Sequence, residues 1–139
     1  VAEDLWPEFL RVVADVAPGA VFAENVTRKA IDAAADDLGA LGYTARCIAL
    51  SAEDLGADHI RQRYWLLAYA DPHSELRMCI DAKVAKLSGV RPRVWETYPN
   101  EPRVVDGLAH RLDRLEATGN GQVPCVAAAA FCALSAAFN

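Results

Sequence analysis

Ala20-Val21-Phe22-Ala23, followed at once by Glu24-Asn25-Val26, is the stretch on which the fold of this chain turns. Four consecutive apolar residues between Pro18-Gly19 and the polar Thr27-Arg28 are too few for a helix and make a short buried strand. Upstream, Leu5, Phe9, Val12, Val13 and Val16 recur at helical spacing until Pro18-Gly19 stops the pattern. Downstream, Thr27 can cap a second helix whose apolar face is Ala30, Ile31, Ala34, Leu38 and Leu41, with Gly39 and Gly42 ending it. Residues 45–50 form the next strand. After a polar turn over 51–58, the run Tyr64-Trp65-Leu66-Leu67-Ala68-Tyr69 makes a third strand, apolar enough to be covered on both faces. Helix, strand, helix, strand, strand predicts an α/β half-sheet with parallel strands.

At 139 residues, 53% hydrophobic and 24% charged, the chain can build one globular unit with a real core. The four cysteines, Cys47, Cys79, Cys125 and Cys132, lack the close-pair spacing of a zinc site and lie mostly among apolar neighbours. They predict reduced thiols, a cytoplasmic setting and no metal. No apolar run is long enough to span a bilayer; the alanine-rich stretch 123–138 follows Pro124, lacks a basic flank and reads as a buried helix.

A net charge of -5 argues against a protein that grips nucleic acid through its overall field. The distribution is uneven, however: residues 1–70 carry six basic and eleven acidic side chains, residues 71–118 carry eight of each, and the tail from Gly119 carries neither. Any DNA contact is therefore local, through Arg91 and Arg93 first, then Arg103, Arg111 and Arg114, unless these arginines simply belong to a solvated mixed-charge surface. From Asp71 the periodicity breaks, with Pro72, Pro92, Pro99 and Pro102 set among charged residues. Residues 71–103 are expected to be a loop-rich insertion, with 1–70 and 104–139 forming the catalytic unit around it.

Glu24 is where chemistry enters, because a carboxylate just past an α/β strand end lies in the crevice where such sheets bind ligands. The bland alternative is a charge that complements the dipole of the helix begun at Thr27. Arg61-Gln62-Arg63, at the start of the third strand, reads by itself as an exposed sheet-edge pair, and Gly119-Asn120-Gly121 as a turn.

Taken in order, Glu24-Asn25-Val26, Arg61-Gln62-Arg63 and Gly119-Asn120-Gly121-Gln122-Val123-Pro124 resemble the motifs of the DNA cytosine-5 methyltransferases. The resemblance implies the second half of a Rossmann-like sheet that uses S-adenosylmethionine and acts on duplex DNA. It assigns Glu24 to ring nitrogen 3 and the exocyclic amine of a flipped-out cytosine. Arg61 and Arg63 would steady that glutamate and the base's carbonyl oxygen, and Leu5, Asn120 and Gly121 would border the donor pocket. Residues 71–103 would stand where the family reads base edges, with Trp95 and Tyr98 stacking or packing. Asp58-His59 departs from the family's usual Pro-Gln, which leaves His59 as a surface histidine.

The family's nucleophile is the cysteine of a Pro-Cys pair upstream of the segment matching Leu5. Pro124-Cys125 spells such a pair in the wrong place, at the start of the closing helix. The glycine-rich donor loop has no counterpart either, the chain opens on Val1, and its one methionine is Met78. These features predict the carboxyl-terminal part of a longer methyltransferase, inactive alone and completed by an amino-terminal half on the same or a partner chain. The alternatives are a catalytically inactive DNA-binding or interaction remnant of such an enzyme, and another Rossmann-type methyltransferase, which leaves the three ordered motifs unexplained.

Overall fold

A computed structural model describes residues 4–56, 60–87 and 124–138. Helix α1, Trp6–Val16, carries Pro7 in its first turn, where a missing N–H costs nothing, and ends at Ala17 in a left-handed conformation immediately before Pro18. Strand β1, Ala20–Asn25, follows. Helix α2, Arg28–Ala40, begins at Thr27, whose hydroxyl accepts the Ala30 N–H at 3.4 Å, so the expected cap is present. Strand β2, Thr44–Ser51, leads through a short 3-10 turn, Glu53–Leu55, to strand β3, Gln62–Tyr69. Helix α3 is Glu75–Leu87, and helix α4, Pro124–Ala136, starts at the proline anticipated from the sequence.

The three strands make one sheet in the order β1-β3-β2, a mixed α/β arrangement with β3 at its centre. Its pairings correct the expectation of a parallel half-sheet: β3 runs antiparallel to both neighbours, with Glu24 opposite Trp65 and Leu50 opposite Arg63. The cause lies in chain length. Only residues 52–61 join β2 to β3, too few for the crossover that a parallel pair requires.

Because β3 alternates, Trp65, Leu67 and Tyr69 face one side and Leu66 and Ala68 the other. The first set packs with Val126, Ala130 and Leu134 of α4. The second packs with Val13 of α1, Val21, and Ile31, Ala34 and Leu38 of α2. Residues 65–69 are all buried, so the central strand is covered on both faces as its composition implied. Among the described residues no helix is long and apolar enough to cross a membrane.

Three further expectations are revised. Residues 75–87, read as part of a loop, are helical and packed against α4. Of the apolar stripe on α1 only Val13 is buried; Leu5 and Val16 are each 67% exposed, and Phe9 and Val12 each 45%. The helix instead turns Trp6 and Leu10 toward the core beside Val13. Cys47 and Cys79 are exposed, while Cys125 and Cys132 are half-buried.

The β2–β3 connection closes at Gly56, whose φ of 87° lies in the left-handed region and whose N–H donates to the Glu53 carbonyl at 2.9 Å. Among the described residues a Cβ there would meet no atom within 4 Å, so the expected cost of Gly56→Ala is conformational. A loss of about 1 kcal/mol is expected, measured as a lowered urea midpoint with unchanged slope.

Candidate functional site

The antiparallel course of β3 is what builds the site. It sets the first residues of β3 beside the last residues of β1; a parallel β3 would carry Arg63 to the far end of the sheet, roughly 20 Å away. Glu24 and Trp65 are directly opposed, and Glu24 Oε1 reaches diagonally to Arg63 Nε at 2.9 Å. The two side chains are 19% and 18% exposed, screened enough for a firm pairing yet open to a ligand. Arg63 also donates through Nη1 to the Gln62 carbonyl at 2.8 Å, which turns the guanidinium back over the strand.

Asn25 has a different task. Its Oδ1 accepts the Thr27 N–H at 3.0 Å and lies 3.3 Å from the Thr27 hydroxyl, so it shapes the turn that starts α2. The carboxylate of the Glu-Asn-Val stretch is thus presented to the groove while the amide holds the backbone that presents it.

Beside this pair a groove of about 560 Å³ runs between α1, the end of β1 and α2. Leu5, Phe9, Phe22 and Ile31 give it apolar walls, and Asp4, Glu24 and Asn25 give it polar edges. Leu5 and Glu24 therefore border one cavity. Arg61 lies at the mouth of the β2–β3 connection: its N–H donates to Ser51 Oγ at 3.2 Å and its carbonyl accepts the Ala52 N–H at 3.3 Å. Asn120, Gly121, Arg91, Arg93 and His59 lie outside the described residues.

Sequence reasoning missed two supports of the site. The Trp6 indole N–H donates to Asp37 Oδ2 at 2.7 Å and pins α1 to α2 across the groove. Under the Glu24–Arg63 pair, Phe22 stacks on Trp65 with centroids 5.4 Å apart and meets Phe131 of α4 edge-on at 5.2 Å. Both were visible only as apolar character, since their partners are distant in sequence.

Cys47 makes a poor nucleophile. Burial pushes the Cys47 thiol up, Asp32 adds to the rise, Arg28 opposes it and Asp36 contributes in the same sense as Asp32, all of which disfavours a thiolate. Cys125, the false Pro-Cys partner, packs against the core cluster between the sheet and α4.

The model of the C-5 cytosine-specific DNA methylase family matches residues 2–118. The chain belongs to that family. No curated protein matches it. As a C-5 cytosine-specific DNA methylase domain, it carries Leu5, Glu24, Arg61, Arg63, Arg91 and Arg93 within the matched span, while Asn120 and Gly121 fall beyond its end.

Proposed function

We propose that this chain supplies the base-holding part of a DNA cytosine-5 methyltransferase, corresponding to the second half of the family's Rossmann-like catalytic sheet. The observation that carries the reading is the Glu24–Arg63 pair at 2.9 Å, set at the edge of a groove that Leu5 also lines. Extrusion of the cytosine is required because its reacting carbon is inaccessible within the base stack. Addition of a thiolate to carbon 6 pushes electron density onto the ring, and a hydrogen bond or proton from Glu24 at nitrogen 3 relieves it. Arg63 holds the carboxylate in place, and with Arg61 it offers donors to the base's carbonyl oxygen; a guanidinium suits this because it stays charged and can bridge two acceptors.

The donor in this reading is S-adenosylmethionine, which supplies the methyl group for carbon 5 when bound. The groove fits part of such a ligand: apolar walls for a flat ring, and carboxylates near a sulfonium and an ammonium. Leu5 would line its pocket, with Asn120 and Gly121 meeting its carboxylate from a helix start. Residues 1–70 and 104–139 form the catalytic unit in this proposal. Residues 71–103 take the place of the target-recognition region, with Arg91 and Arg93 as its candidate contacts to duplex DNA.

The reading also accounts for the exposure of Leu5 and of Phe9, Val12 and Val16 on α1, near β1 at the edge of the described sheet: an amino-terminal half, on the same or a partner chain, would cover them. The test is complementation. Joined to a segment carrying the family's Pro-Cys loop and glycine-rich donor loop, the chain is expected to transfer labelled methyl groups to duplex DNA, and either piece alone to be inactive. Duplex binding that is indifferent to the donor and to Arg63→Ala, without methyl transfer by the assembled pieces, would identify an inactive DNA-binding remnant instead.

A further inference from the structure

The connection between β2 and β3 is tied shut at its base by one hydroxyl. Ser51, only 8% exposed, accepts the Arg61 N–H at 3.2 Å and the Glu53 N–H at 3.4 Å on its Oγ, while its own N–H donates to Asp54 Oδ2 at 2.7 Å. The Ala52 N–H to Arg61 carbonyl bond adds one rung beyond the last registered pair, Ser51 and Gln62. Arg61 therefore sits at the closing rung, and Arg63 two pairs inside it, opposite Leu50. Strand ends fray unless something satisfies their terminal donors, and fraying here would reach the guanidinium that meets Glu24.

We propose that Ser51, braced by Asp54, is a positioning residue that keeps Arg61 and Arg63 in register with Glu24. The inference rests on the base-holding reading for its functional meaning, but its geometry stands on the hydrogen bonds alone. Ser51→Ala removes the hydroxyl that accepts the half-buried Arg61 N–H and the Glu53 N–H, so the first rungs of β3 open more often. Ser51→Thr keeps the hydroxyl. Asp54→Asn keeps an acceptor for the Ser51 N–H but loses its charge.

Hydrogen exchange of the full chain followed by NMR reads this directly, using the Arg61 amide, the Arg63 Nε–H and, as an internal reference in the middle of β3, the Leu67 amide. Expected for Ser51→Ala is exchange at the two arginine positions accelerated about tenfold, the loss of one hydrogen bond, with Leu67 unchanged. Ser51→Thr restores protection, and Asp54→Asn falls between. Unchanged arginine exchange in Ser51→Ala overturns the proposal. So does equal acceleration at Leu67, which would make the hydroxyl a general stabiliser, and so does failure of Ser51→Thr to restore protection. None of these outcomes depends on methyl transfer, so the positioning role and the methyltransferase reading fail separately.

Discussion

On the proposed base-holding role, Glu24→Gln, introduced into the chain assembled with the family's Pro-Cys and glycine-rich loops, is expected to lower methyl transfer by roughly a thousandfold while leaving duplex binding nearly intact. The figure sits in the range for losing a positioned acid or base in a transition state. Glutamine is close to the same size and can still donate a hydrogen bond, so it isolates the proton from the shape. It also removes the charge that holds Arg63 Nε at 2.9 Å, and part of the loss will come from a guanidinium no longer directed at the site. Arg63→Lys separates the two contributions: lysine keeps the charge but loses the planar fork, so a smaller loss is expected there. Stability should fall by only about 1 kcal/mol, because the glutamine carbonyl can still accept from the Arg63 guanidinium and keeps the shape of the side chain. Full activity in Glu24→Gln would remove the base-holding role from this residue and with it the central argument for the site.

Asp81→Ala is expected to destabilise the described core by about 3 kcal/mol. Arg77 is 7% exposed. Its Nη1 donates to the Pro72 carbonyl at 2.8 Å, and its Nε lies 3.0 Å from Asp81 Oδ2. The Nε–H is poorly aligned on that oxygen, so the contact is ionic rather than a good hydrogen bond. Asp81 Oδ1 in turn accepts the Ser135 hydroxyl at 2.7 Å, and Ser135 Oγ lies 3.5 Å from the Tyr69 hydroxyl.

Removing Asp81 takes the carboxylate from beside a nearly buried guanidinium and the acceptor from a buried hydroxyl, which is why the cost exceeds that of a surface pair. The 23% exposure of the Asp81 side chain keeps the expected loss at the lower end for a buried pair. Urea unfolding followed by circular dichroism measures it. A loss below about 1 kcal/mol would mean that water replaces the carboxylate without penalty. The same network ties α3 and α4 to the end of β3, which makes α3 an integral part of the core.

Much of this architecture was legible in the residues. Thr27 marked the start of α2, Pro18 the end of α1, Pro124 the start of α4, and the unbroken apolar run 64–69 the doubly covered strand. Strand direction was not legible, because local composition reports burial and says nothing of whether a neighbour runs the same way; the short connection 52–61 was the available clue. Helix α3 escaped because its core-facing residues include Arg77 and Asp81, which satisfy each other and so imitate a polar loop. On α1 the stripe from Leu5 to Val16 showed the helix but not which side the rest of this structure covers. At the site, Glu24 and Arg63 were each identifiable, whereas their contact, the Trp6–Asp37 tie and the aromatic floor join residues brought together only by folding.

The central place of β3 bears on the order in which the chain can fold. Strands β1 and β2 flank a gap that only the last strand of the sheet fills, so the earlier βαβ segment must leave a slot one strand wide. Arg63 comes 39 residues after Glu24 in the chain, and their meeting closes a long loop after the local hairpin between β2 and β3 can already exist. The ion pair consequently has no counterpart in any partly folded form that lacks β3. A nascent chain that has emerged only as far as β2 carries the glutamate without the arginine, and the chemistry of the site becomes a property of the completed sheet.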